Sequence, residues 1–234
     1  MSSMANESSS GGGAVASDSA APKPQERVAA SVRREQILAA ASRVFGERGY
    51  YGATTDLVAK AAGISQPYVV RMFGTKENLF VEVLDRALGK LLVAFHAALD
   101  EAASKQETHD EMKTRLGAAY ADLIGDRGIL LSLMQAFITG HEPVIGERAR
   151  SGFLEIYQLL RDKADMDPDE VVEFLAHGML FNTLIAMRLV DQLDADDPCV
   201  PELLEHTFRT KLDIVVNTVT KNDTTSAADA RKTA

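Results

Sequence analysis

Residues Thr54–Phe73, TTDLVAKAAGISQPYVVRMF, decide the fold: two short runs with helical spacing meet at a glycine. Thr54 or Thr55 can cap the first run by accepting from backbone N–H groups that a helix start leaves unpaired. Leu57, Val58, Ala61 and Ala62 then recur at helical spacing and form an apolar stripe. Gly63 stands where the chain must turn and a positive φ costs a glycine least. Ile64 suits a plug between the two helices, and Ser65 suits the cap of the second. Pro67 falls in the first turn of that helix, where a missing N–H is harmless. Val69, Met72 and Phe73 share its inward face. The outer face carries Pro67 and Arg71, flanked by Tyr68 and Val70, with Gln66 at its start. This is the sequence form of a helix-turn-helix, whose second helix can lie in a DNA major groove. Arg and Gln side chains can read base edges, while Tyr and Ser can hold phosphate. On these residues alone a solvated helical hairpin is the competing reading, with Arg71 and Gln66 as plain surface.

The flanks favour the first reading. Ser31–Tyr50 (SVRREQILAAASRVFGERGY) places Ile37, Leu38, Ala41, Val44 and Phe45 at helical spacing and ends over Gly46 to Gly49. Tyr51-Gly52-Ala53 turns into Thr54. Gly74-Thr75-Lys76-Glu77-Asn78-Leu79-Phe80 begins a further helix, with Thr75 as its cap. Taken together, Ser31–Phe80 resembles the N-terminal domain of the TetR family of transcriptional regulators. The matching elements are Ile37–Ala41, Phe45, Gly49, Gly52, Thr54, Val58-Ala59, Ala62-Gly63-Ile64-Ser65, Phe73, and Lys76-Glu77 with Leu79. They cover about fifty of 234 residues; the rest of the chain matches in length and helicity only.

The resemblance implies a three-helix DNA-binding head on a larger helical body that dimerises and often binds a small molecule. It also implies that Thr54 and Thr55, then Ser65, Gln66, Pro67, Tyr68, Val70 and Arg71, then Lys76, touch DNA. The chain departs from the family at two points. Val70 stands where a phosphate-gripping tyrosine is common, and Pro67 where a small residue is usual. Val70 can instead touch a thymine methyl.

Net charge first speaks against DNA, because the chain totals −9 and strong DNA binders tend to be basic. The distribution answers this. Residues 31–90 carry nine Lys/Arg against six Asp/Glu, whereas residues 91–221 carry twelve against twenty-three. A mildly basic head on an acidic body would turn the head toward DNA, although an acidic body also serves solubility. Hydrophobic residues make up 46% and Trp is absent, so a core must rest on Leu, Val, Ile, Met and Ala. With no strictly alternating run, the expectation is an all-α fold.

Residues 1–30 are rich in Ser, Gly, Ala and Pro without a basic start or apolar core. They read as a disordered arm rather than a signal peptide, and residues 222–234 read as a similar tail. The expected division is therefore head over 31–75 and body over 76–221. No apolar stretch approaches the ~20 residues that span a bilayer. Cys199, the single cysteine, cannot form an intrachain disulfide. The expected location is the cytoplasm.

Breakers and caps divide the body into helices over about 75–103, 108–124, 129–139, 143–164, 169–191 and 202–220, with 194–201 as a loop. Asp167-Pro168-Asp169-Glu170 is a strong start: a cap, a proline at the first position, then acids favoured by the helix dipole. The helix that follows is apolar nearly all round, so it needs cover on more than one side. Phe181 and Leu184, with Leu204, Phe208, Leu212, Val215 or Val216, and Val219 of the last helix, suit a four-helix dimer interface. Such a two-fold dimer would set its recognition helices about 35 Å apart. Candidate ligand handles are Gln135, Thr139, His177, Asn182 and Thr183, with Met134, Phe137, Phe153 and Tyr157 as walls.

Catalysis has no support in the residues. The five histidines lie far apart, and there is neither a phosphate loop nor a nucleophile elbow. No cofactor or metal motif appears. The sequence reading is thus a dimeric DNA-binding regulator, with double-stranded operator DNA and a small-molecule effector as its partners. The rival is a helical small-molecule binder whose head is idle.

Overall fold

A computed structural model of the protein describes residues 24–123, 127–193, 197–208, 211–212 and 215–216. Among them are nine α-helices and no strand: α1 (Pro24–Gly52), α2 (Thr55–Ala62), α3 (Gln66–Phe73), α4 (Lys76–Lys105), α5 (His109–Asp122), α6 (Arg127–Ile138), α7 (Pro143–Asp162), α8 (Pro168–Ala186) and α9 (Cys199–Phe208). The all-α expectation holds. No helix among the described residues is long and apolar enough to cross a membrane.

Helix ends follow the local chemistry. Thr54 rather than Thr55 caps α2, its hydroxyl accepting from Leu57 N at 3.2 Å. Gly63 closes α2 at φ 65°, and Ile64 N reaches back to the Ala59 carbonyl at 3.0 Å. Thr75 caps α4 through Asn78 N. Asp167 and Glu170 form a capping box at the head of α8, each taking a backbone N–H of the other residue.

Three boundaries differ from the sequence reading. Helix α1 begins at Pro24, inside the stretch read as a disordered arm, and is interrupted at Gly49 (φ 69°). Helix α8 stops at Ala186; Arg188 turns left-handed at φ 59° and a 3₁₀ turn, Leu189–Gln192, follows. Helix α9 starts at Cys199, because Asp197 Oδ1 accepts from Cys199 N at 2.9 Å. Pro201 then falls in its first turn, where no N–H is required. The Asp197 carboxylate also raises the Cys199 thiol pKa, so this exposed cysteine is not an activated nucleophile. The expected tails over 1–23 and 222–234 lie outside the described residues.

One continuous core joins head to body. Ile37, Phe45, Val58, Val69 and Phe80 fill the head, and Leu84, Leu88, Leu91 and Phe95 carry that core down α4 into the body. Helix α1 crosses α6 very closely: a Cβ added at Gly128 would stand 3.0 Å from Ser42 C and 3.1 Å from Arg43 N. A second cluster, including Phe181, Leu184, Leu204, Phe208 and Val215, is buried where α8 meets α9. The Phe181 and Phe208 rings meet edge to face at 4.5 Å.

Candidate nucleic-acid interface and body cavity

The turn geometry fixes how α3 is presented. With Gly63 in the left-handed region and Ile64 packed against the core, α3 lays Val69 and Phe73 inward, fully or almost fully buried. Its other side stays outside: Pro67 and Arg71 are exposed, and Val70 is 38% exposed. The Arg71 guanidinium lies 4.8 Å over the Tyr68 ring. Among the described residues it has no acidic partner, so the ring steadies a charge that stays available.

Several expected contact residues have structural work as well. Gln66 Nε2 donates to Thr55 Oγ1 at 3.2 Å, tying the start of α3 to the start of α2. Ser65 holds the cap position of α3, as the sequence suggested, but makes no side-chain cap bond. The α3 start uses its carbonyl instead, which accepts from Tyr68 N at 3.0 Å, and the Ser65 hydroxyl is exposed. Lys76, the first residue of α4, donates from Nζ to the Tyr50 carbonyl at 3.0 Å and lies 4.4 Å over the Tyr50 ring. That carbonyl lies near the C-terminal end of α1, where a cation is favoured.

A polar contact that the sequence did not signal joins head to body beside Lys76. The Tyr51 hydroxyl donates to the Glu142 carboxylate and lies 2.9 Å from His141 Nε2. The carboxylate acceptor raises the Tyr51 pKa, which keeps the phenol a donor. His141-Glu142, which connects α6 to α7, therefore also grips the end of α1.

The body encloses a cavity of about 490 Å³ reached by α4, α5, α6, α7, α8 and α9. Of the expected ligand residues, Phe137, Phe153, His177 and Asn182 line it, whereas Met134, Gln135, Thr139 and Tyr157 do not; nor does Thr183, whose hydroxyl donates to the Met179 carbonyl of its own helix. Gln135 faces α1, near Gly49, and the hydroxyl of Thr139, just past the end of α6, donates to the Gln135 carbonyl. Periodicity put these five on apolar runs, but it could not say which side of α6, α7 or α8 faced the void. The sequence reading missed Tyr120, Phe95 and Phe174 as walls. Tyr120 was legible as an apolar-stripe residue with a polar tip, and that tip donates to Asn182 Oδ1 at 2.8 Å. Burial pushes the Tyr120 pKa up to about 12.

The rim of the cavity is charged, and both of its lysines are held by carboxylates. Lys113 Nζ donates to Glu170 Oε1 at 2.8 Å and lies 3.2 Å from Asp110 Oδ1. Lys211 Nζ donates to Asp122 Oδ1 at 2.8 Å. Glu170, bonded first to Lys113 and then to the Asp167 N–H and His109, has its pKa lowered to about 2.

The expected dimer residues are placed differently from the sequence reading. Phe181, Leu184, Leu204, Phe208 and Val215 are buried within the single chain, with Leu212 packed beside them; Val219 lies outside the described residues. Phe181 and Phe208 of this set also line the cavity. The uncovered apolar side chains of this region are Val172, Leu180, Met187 and Leu203.

Comparison with known proteins agrees with the head. Residues 37–83 match the family described as bacterial regulatory proteins, tetR family. The HTH-type transcriptional activator FasR of Mycolicibacterium smegmatis is 42% identical over 67 residues, 29% of this chain and 31% of that one. The HTH-type transcriptional repressor AcnR of Corynebacterium diphtheriae is 35% identical over 91 residues, 37% and 48% of the two chains. The match thus spans about a third to a half of these relatives. The crystal structure of a transcriptional regulator from Rhodococcus sp. Rha1 has the same fold over 81% of this chain and 96% of that one, with a TM-score of 0.53 and 24% identity.

Proposed function

We propose, from a head that belongs to the tetR family of bacterial regulatory proteins, that this protein is a cytoplasmic, dimeric, ligand-responsive repressor of transcription. The observation that carries the reading is the outer face of α3. Its inner face is locked by Val69 and Phe73, and Arg71 projects from the opposite side over Tyr68 with no acid among the described residues to neutralise it. In a major groove Arg71 would read a base edge and Val70 a thymine methyl. Thr54, Thr55, Ser65 and Lys76 would supply the surrounding phosphate contacts. Gln66 would act chiefly by holding Thr55 in place.

The second copy would dock on the outer side of α8 and α9. Leu180, Met187 and Leu203 there are 40%, 60% and 40% exposed, respectively, and a two-fold axis would let each cover its counterpart. Such a dimer fits a near-palindromic operator with half-sites one helical turn apart. The cavity would hold the effector. Helix α6 contributes Leu133 and Phe137 to its wall and presses Gly128 against α1. An effector that favours one placement of α6 would therefore shift the head. A coupling of ~1–3 kcal/mol would give roughly 5–150-fold release from DNA.

The test is fluorescence anisotropy of the full chain with DNA flanking its own gene against random DNA, at two salt concentrations. The proposal expects selective binding with a steep salt slope. It also expects Arg71→Ala to weaken operator binding by about 1–3 kcal/mol and relax preference at one base. Equal binding to both DNAs, unchanged by Arg71→Ala, would leave the rival reading of an idle head. Sedimentation of Leu180→Asp against the parent checks the dimer face.

A further inference from the structure

The cavity holds a buried amide whose donors are unused. Asn182 is 3% exposed, and its Oδ1 accepts from the Tyr120 hydroxyl at 2.8 Å. Among the described residues Nδ2 has no acceptor, although both of its hydrogens can donate. Buried polar groups are nearly always hydrogen-bonded, so such a donor inside a ligand-sized void is a prepared contact. The phenol, whose pKa burial raises to about 12, stays protonated at every physiological pH. Its hydrogen bond to the amide oxygen leaves the amide nitrogen turned away from it.

The remaining surroundings select the rest of the ligand. At the buried end stand Phe181, Phe208 and Leu133, each under 5% exposed. His177, the nearest titratable group on α8, is directed to the Thr207 carbonyl through Nε2 at 3.1 Å. Both lysines of the lining already hold carboxylates, Lys113 those of Glu170 and Asp110, and Lys211 that of Asp122. Among the described residues a ligand carboxylate would find no free counter-charge, and burying an unpaired charge is strongly unfavourable. The lining acids Asp110, Glu170 and Glu173 stand at the outer part of the cavity, so an ammonium could be matched only there. Gly178, one turn before Asn182, leaves the space beside the Tyr120 ring open; a Cβ there would sit 3.6 Å from Tyr120 Cε1.

We infer that the cavity takes an uncharged, largely apolar molecule that presents a carbonyl-type acceptor oxygen to Asn182 Nδ2. This rests on the reading of the cavity as the effector site.

The experiment is calorimetric titration of the full-length protein with two matched probe sets, one on a naphthalene skeleton and one on an eight-carbon chain. Each set contains the methyl ketone, the secondary alcohol, the carboxylate, the primary ammonium and the parent hydrocarbon. In at least one set the ketone should bind about tenfold tighter than the other four. Asn182→Leu should weaken the ketone about fivefold to tenfold and leave the hydrocarbon unchanged, the effect of one hydrogen bond. Tyr120→Phe, which frees the amide to rotate, should narrow the difference between ketone and alcohol while the variant keeps its thermal unfolding. Gly178→Leu, which sets a side chain into the void beside the Tyr120 ring, should abolish binding of every member.

A carboxylate, ammonium or alcohol that binds best and is lost in Gly178→Leu overturns the ligand class while leaving the effector site intact. Unchanged ketone affinity in Asn182→Leu does the same. No binding by any member, or binding that survives Gly178→Leu, overturns the inference together with the effector site; the DNA titration then judges the head separately.

Discussion

Replacing Gly128 with alanine probes the contact through which the body would hold the head. The added Cβ would lie 3.0 Å from Ser42 C, 3.0 Å from Ser42 Cβ and 3.1 Å from Arg43 N, against 3.4–4 Å for ordinary contact. Two of these three atoms are backbone, so no side-chain rotation relieves them. Helix α1 cannot easily retreat, because Ile37, Ala41 and Phe45 on it are completely buried. Overpacking of this kind costs about 1–3 kcal/mol. Alanine gains up to about 1 kcal/mol over glycine in a helix interior, less here because Gly128 is the second residue of α6. The expected balance is a loss of about 0.5–2 kcal/mol, or about 1–8 °C in Tm for a chain of this size. Thermal unfolding followed by circular dichroism measures it. Ser42→Gly in the same chain should rescue little, since it removes only one of the three close atoms. A Tm equal to or above the parent's, or full rescue by Ser42→Gly, would refute the close α1–α6 crossing.

Other outcomes follow from single residues. Gly63→Ala should cost about 1–2 kcal/mol in urea unfolding purely through its backbone, because a Cβ there meets nothing within 4 Å. Gly63→Asn should cost less, and equal losses would remove the left-handed turn as the cause. Lys76→Met should weaken operator and random DNA alike and lower the salt slope by about one; altered base preference would contradict a phosphate contact. Glu170 has its pKa depressed from 4.5 to about 2, so its contribution is complete above about pH 4.5 and fades as pH falls toward 2. The stability gap between the parent and Glu170→Gln should shrink over that window, and a gap independent of pH would show that the ion pairs with Lys113 and His109 contribute nothing.

The dimer reading shows where inference from a sequence window stops. Helix α8 is apolar nearly all round, and its composition pointed to cover on more than one side. Yet Phe181 and Leu184 pack against Phe208 and Leu204 of the same chain, and the uncovered residues are Leu180 and Met187. Helical periodicity identifies that two faces exist; it does not say which one meets α9. The ligand residues divided in the same way, with Phe137 on the cavity side of α6 and Gln135 on the α1 side.

What the chain's order of residues determined by itself is its local grammar. Thr54, Thr75 and Asp167 cap helices, Gly63 takes φ 65°, and Pro67, Pro143 and Pro168 stand in first turns. Each depends on partners three or four residues away, and a short window contains them all. Only the tertiary structure decided that Gln66 is engaged by Thr55, that Lys76 is held by the Tyr50 carbonyl, and that Tyr120 meets Asn182 across 62 positions of sequence. Those pairings depend on how helices cross and rotate against one another. That is set by the simultaneous packing of the whole core, which no window of sequence contains.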